Sequence, residues 1–306
     1  QTVVGSVIIA RIPAGSAAAV AESSAVVFVE AAKPIQMKND VARGELGGDE
    51  VHAGQDLPSP LTGKGVIVGI IDTGIDYTHP DFADENGVSR VLSIWDQNRG
   101  SGRGPEEIAN TFGMECLRES IEDGSCPLGD ADGHGTHVSS IIGGVETDDL
   151  GPGVAPGVEF YALKICSSVS TSCSGLALLQ GMEWAADPDG NGAFDDRADV
   201  INMSLGSNYG QPSDDLSAAS ELAVELGTVV VASAGNGGNF PYIAGSPSTA
   251  RSVISVAQTS VPSAVLYKIR RDTPDPVVLM DASFQSWSAA PTAAISGPIG
   301  YGNGDG

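Results

Sequence analysis

Four stretches of this chain are β-branched and apolar with no polar face: GVIVGIIDTGID (65–76), VEFYALKIC (158–166), ADVINMSLGS (198–207) and GTVVVASAGN (227–236). A strand apolar on both sides must be covered on both sides, which suits the centre of a parallel sheet. Between them run helical patterns, GTHVSSIIGGV (135–145), SGLALLQGMEWAAD (174–187) and SDDLSAASELAVELG (213–227). Ser213 or Asp214 stands where the last would be capped, and Gly227 where it would end. Strand alternating with helix predicts an α/β fold, a mostly parallel sheet with helices on both faces. Such sheets bind ligands at the carboxyl ends of their strands. Asp72, Ser204 and Asn236 all stand where a predicted strand stops.

Each of these positions has two readings. A carboxylate such as Asp72, backed by a dry sheet, stays ionised only if hydrogen bonded, as an acid that orients an imidazole is; an Asp before Gly is also an ordinary turn residue. His134, in DADGHGTHV (130–138), heads a predicted helix between two glycines, where its ring is held as a general base must be. His137 shares its helix face, so shared metal ligation must be weighed. The i, i+4 spacing and intervening Glu of the zinc-protease pattern are absent, and His137 is expected to be a partly buried structural histidine. Asn236, before two glycines, reads as an oxyanion donor or as a turn.

Composition limits the partners. The 306 residues are 41% hydrophobic and carry a net charge of −24. Nucleic acid and anionic membrane surfaces are thereby disfavoured, and no apolar run approaches the length that spans a bilayer. The acidity reads as a solvated surface or, in part, as cation ligands. Cys116 and Cys126, then Cys166 and Cys173, form two local pairs without a C-x-x-C spacing. Short-loop disulfides and an oxidising, extracellular setting are expected, with free buried thiols as the alternative.

DPDGNGAFDDRAD (187–199) resembles the first half of an EF-hand loop: Asp187, Asp189 and Asn191 alternate before Gly192. The loop's closing Glu is replaced by Ala198, so Asp195, Asp196 or Asp199 would have to complete a structural calcium site; a solvated acidic turn is the alternative. Residues 2–31 read as strand, alanine-rich helix and strand, a βαβ unit. Residues 32–62 show no periodicity and read as a linker.

Taken in order, DTGID, HGTHV, SLGS and SAGN resemble the subtilisin-like serine proteases, the subtilases, over roughly residues 63–260. The resemblance implies a peptide-bond hydrolase with an Asp–His–Ser triad acting on polypeptides. Asp72 would be its orienting acid, His134 its base and Asn236 its oxyanion donor. Ser204, Leu205 and Gly206, with Ser233, Ala234 and Gly235, would flank the substrate. The family's G-T-S-[MA]-[AS] nucleophile stretch occurs nowhere in the chain, and Ser248 in GSPSTA (245–250) follows the Asn motif too closely. Because the chain starts without Met and ends in GYGNGDG, it is read as a segment of a longer precursor with its serine outside these residues. Residues 1–33 resemble the second half of an inhibitor-type propeptide, 34–62 would be the linker, and 63–262 an incomplete catalytic domain. Residues 263–306 would begin an inserted protease-associated domain. The rival reading is a calcium-stabilised, non-catalytic binding or scaffold protein on a degenerate subtilase fold.

Overall fold

The computed structural model describes residues 2–4, 7–9, 39–99, 112–146, 151–167, 172–258, 267–271 and 278–282. Lys38–Pro262 is one compact unit, and Gln1–Met37 with Ser263–Gly306 is the other.

In the second of these, β1 (Thr2–Val4) and β2 (Val7–Ile9) pair antiparallel, with Val4 opposite Val7. The first apolar run is therefore two strands and not one. Gly-Ser between the halves is a short-hairpin signal that the continuous apolar reading passed over. The predicted helix and second strand of 2–31 lie outside the described residues. Near the other end, Tyr267–Arg271 pairs antiparallel with Val278–Ala282.

The larger unit opens with two short helices, Asn39–Glu45 and Gly48–Ala53, where an unstructured linker was expected. Each is under two turns and too short to display a period. Glycines in the left-handed region bound the second, Gly47 at φ 76° and Gly54 at φ 70°.

The sheet follows: β3 (Ile67–Asp72), β4 (Val91–Asp96), β5 (Met114–Leu117), β6 (Glu159–Lys164), β7 (Val200–Met203), β8 (Val229–Ser233) and β9 (Ile254–Val256). Its spatial order is β5-β4-β6-β3-β7-β8-β9, and every pairing is parallel except β4 with β5 at the edge. The α/β reading holds: β3 lies at the centre, so Asp72 ends a strand flanked on both sides. Its side chains divide between two cores. Val68 and Ile70 pack with Ile94, Phe160 and Phe82 on one face; Ile71 packs with Leu163, Trp184 and Ile201 on the other. Helices His134–Gly143, Gly175–Ala186 and Asp215–Glu225 occupy the predicted places.

Asp214, and not Ser213, caps the last helix, its carboxylate accepting from Ser217 N–H at 2.9 Å. Gly227 at φ 97° ends it: its N–H donates to the Val224 carbonyl and Thr228 N–H to that of Ala223. This double bond is the Schellman arrangement, which needs a left-handed residue.

Both local cysteine pairs are disulfides, Cys116–Cys126 and Cys166–Cys173. Closing loops this short restricts the unfolded chain by roughly 2–3 kcal/mol each in the chain-entropy account.

Candidate active site

Asp72 is 1% exposed at the carboxyl end of the central strand. Its Oδ1 accepts from Thr73 N–H at 2.7 Å and lies 2.7 Å from His134 Nδ1. Its Oδ2 is buried without a hydrogen-bond partner. A carboxylate on Nδ1 fixes the proton there and leaves the Nε2 lone pair facing outward. The imidazole is 49% exposed, so that nitrogen is open to a reactant.

The local chain explains how two residues 62 apart in sequence meet. Gly133, at φ 93°, turns the chain into the helix. Asp130 caps that helix from outside, accepting from Thr136 N–H at 2.9 Å and Thr136 Oγ1 at 2.8 Å. Burial, the largest single influence on the Asp130 carboxyl, raises its pKa, but hydrogen bonds from the Gly133 and Thr136 backbone and the Thr136 and Thr73 hydroxyls outweigh it and hold it below the usual range. Two further bonds tie the helix to the loop after β3: Gly135 N–H to Thr73 Oγ1 at 2.8 Å, and Asp76 N–H to Thr136 Oγ1 at 2.9 Å. His137 is exposed, not partly buried as expected, because it sits on the outer side of this first turn.

Beside the ends of β7 and β8 lies a cleft of about 400 Å³ lined by Ser204, Leu205, Gly206, Ser233, Gly235 and Asn236. These are six of the seven positions expected there. Ala234 instead bonds sideways through its backbone, to Val256 and Gly245. Ser207, Asn208, Gly237 and Gly245 also line the cleft and were not foreseen. Gly245 carried a signal, since it opens the turn-forming Gly-Ser-Pro of 245–247. It seats on Ser207: a Cβ there would run into the Ser207 carbonyl. Ser207 and Ser246 form a backbone bridge between the two walls, and Ser246 Oγ donates to Asp214 Oδ1 at 2.7 Å. No charged side chain lines the cleft among the described residues.

Ser248 is 4% exposed and its hydroxyl donates to the Gly245 carbonyl at 2.8 Å. It is committed to the turn. Among the described residues no hydroxyl is hydrogen bonded to His134.

Apart from this cleft, Asp187, Asp189 and Asp196 bring carboxylate oxygens within 4.8 Å of one another. The structure selects Asp196 over Asp195, which is exposed outside the cluster, and over Asp199, which accepts from Ile67 N–H at 2.9 Å. Asn191 bonds to its neighbours: its Nδ2 donates to Asp189 Oδ2 at 2.7 Å and its Oδ1 accepts from Ala193 N–H. Asp187 Oδ1 and Asp196 Oδ1 are buried and unpartnered. Burial, then Asp189 and Asp187, push the Asp196 carboxyl above its usual pKa. Burial, then Asp196, Glu159 and other carboxylates, push nearby Tyr161 up to about 12.

Fold and site define a class: a parallel α/β protein whose carboxyl sheet edge presents a carboxylate–imidazole pair and an uncharged cleft, the parts that general-base chemistry uses. The particular family follows from comparison. The subtilase family model, Peptidase_S8, matches residues 63–297, and the chain belongs to this family. It is 33% identical over 201 residues to minor extracellular protease Vpr of Bacillus subtilis (strain 168), covering 66% of this chain and 21% of that protein. It is 37% identical over 177 residues to subtilisin DY of Bacillus licheniformis, covering 58% and 49%. The Clostridium perfringens CspB protease structure is similar at a TM-score of 0.54 and 28% identity, over 66% of this chain and 41% of that one. The chain thus spans half or less of the length of each of these relatives.

Proposed function

We propose that these residues form the acid–base and substrate-binding part of a secreted serine endopeptidase of the subtilisin type. The observation that carries this reading is the 2.7 Å contact between buried Asp72 and half-exposed His134. Asp72 holds the imidazole in one tautomer and stabilises the imidazolium once it forms. His134 takes the proton of a serine hydroxyl through Nε2 and returns it to the leaving amine. Asn236, at the cleft wall, donates its amide to the tetrahedral oxyanion together with a backbone N–H. Ser204–Gly206 and Ser233–Gly235 flank the polypeptide substrate.

The nucleophile belongs to sequence that these 306 residues do not include. No G-T-S-x-A stretch is present, Ser248 is committed elsewhere, and the chain matches about half of subtilisin DY. The 306 residues therefore hydrolyse no peptide at a useful rate, while a longer protein that carries such a stretch does. Rapid peptide hydrolysis by the 306-residue chain would refute this division of the site.

Asp187, Asp189 and Asp196 hold a structural calcium ion in this reading. An all-oxygen donor set with two buried, unpartnered carboxylate oxygens suits a hard cation. Bound there, a divalent ion would offset two of the three crowded negative charges, with ligands from the end of the Gly175–Ala186 helix and from the loop before β7. Secretion is supported by the two disulfides and by the extracellular relative named above. No helix among the described residues is long and apolar enough to cross a membrane. An intramolecular propeptide partner in residues 1–33 rests on their sequence resemblance.

A further inference from the structure

Lys164 ends β6 between two carboxylates. In the ladder it is the register partner of Asp72 on β3 and of Asp96 on β4. Asp72, Lys164 and Asp96 are 1%, 5% and 5% exposed, so a negative, a positive and a negative residue lie in one buried row across three strands. Ionised groups in such a place must be paired or hydrogen bonded.

The ammonium meets both requirements in a way that reaches the active pair. Lys164 Nζ lies 4.0 Å from Asp96 Oδ2 and donates to the Gly129 carbonyl at 3.1 Å. Its stem passes under Gly74: a Cβ on Gly74 would sit 3.2 Å from Lys164 Cδ and 2.9 Å from the Gly129 oxygen. Gly129 precedes Asp130, which caps the His134 helix. One side chain thus joins the strand beside Asp72 to the turn that delivers His134.

The charges point the same way. With His134 neutral, two carboxylates against one ammonium leave a single negative charge in the row. Among the described residues Lys164 forms its ion pair with Asp96, at 4.0 Å, and none with Asp72, so the remaining charge falls on Asp72. A proton taken up by His134, beside Asp72, then offsets that charge. Arg99, 3.9 Å from Asp96, is half exposed and screened by solvent.

We propose that Lys164 is a positioning residue for the Asp72–His134 pair: it fixes the Gly129–Asp130 turn and offsets Asp96, leaving the uncompensated charge on Asp72. Its catalytic meaning rests on the base reading of His134.

The test uses the 306-residue chain and the downfield proton NMR resonance of the His134 Nδ1–H bond, which needs no turnover. In Lys164→Met that resonance is expected to exchange with water about tenfold faster or to vanish, as follows from losing one charge-assisted hydrogen bond. Should the uncompensated Asp96 prevent folding, the Asp96→Asn/Lys164→Met double variant removes both charges together. It still lacks the Gly129 anchor, so fast exchange is expected there too. An unchanged resonance in either folded variant overturns the proposal, and failure of both to fold would assign Lys164 to stability and overturn it as well. If a longer, serine-bearing protein proved inactive while the Lys164 result held, the base reading would fail and the positioning role would stand.

Discussion

Gly135 packs directly on Gly74, so closely that a Cβ on Gly135 would run into the Gly74 carbonyl oxygen and lie 3.2 Å from the Asp72 Cβ. The helix can therefore start against the strand-end turn, which brings its first residue to Asp72. Gly135→Ala must push the two elements apart. Overpacking of this kind costs about 1–3 kcal/mol. A lowered denaturant midpoint together with loss of the His134 Nδ1–H resonance is expected; a variant with full stability and an intact resonance would show that the contact does not set the pair.

The Asp130 cap makes the His134 helix acid-sensitive. Its carboxyl is held below the usual range in the folded state, so the stability it contributes is complete above the unfolded value and is lost as pH falls through the folded one. Unfolded Asp titrates near about 3.9, which sets the upper edge of the window. Asp130→Ala should lose about 1 kcal/mol at neutral pH, the usual worth of such a cap. It should also show a shallower decline in stability below about pH 4. Parallel acid-denaturation curves for the two proteins would contradict the assignment.

At the acidic loop the sign is opposite. The Asp196 carboxyl is raised, so without a cation its contribution is present below the unfolded value and lost as pH rises through the folded one. Calcium should cancel that loss. At a free concentration about 100 times its dissociation constant it should add about 2.7 kcal/mol to stability. Asp189→Ala should abolish the increment, and a melting temperature indifferent to calcium and EGTA at neutral pH would end the calcium reading.

Two substitutions address the roles in turnover and are read in a longer protein that carries the nucleophile. Asp72→Asn leaves the shape but favours the wrong tautomer, and kcat should fall by about 10⁴, the loss seen for the equivalent change in a serine protease of unrelated fold. Asn236→Ala should lower kcat by about 10²–10³ with little change in KM, which is the loss when subtilisin's own oxyanion amide is removed. A change confined to KM would make Asn236 a wall of the cleft and not an oxyanion donor.

The central strands and the Asp72–His134 pair were legible in the sequence for a physical reason. Strand β3 carries no polar side chain from Ile67 to Ile71, so the carboxylate that closes it just before a Thr-Gly turn stands out. Strand β4, VLSIWD, mixes polar residues into its run, and β5, MECL, is a short antiparallel edge strand; neither carries the pattern of a covered strand. Lys164 and Asp96 were equally hidden. Each looks like an ordinary charged residue at a strand end, and only the β3–β6–β4 register places them in one buried row with Asp72. In the acidic loop, composition offered Asp195, Asp196 and Asp199 alike, and only the folded loop shows that Asp196 lies beside Asp187 and Asp189 while Asp199 is engaged by Ile67 N–H.

Covalent labelling by a serine-directed phosphonate tests most directly whether His134 is a base whose serine lies outside these residues. The 306-residue chain should remain unlabelled. A longer protein should be labelled once, at the serine of a G-T-S-x-A stretch, and His134→Ala should suppress that label. Stoichiometric labelling of the 306-residue chain, or labelling of the longer protein that does not depend on His134, would contradict the account.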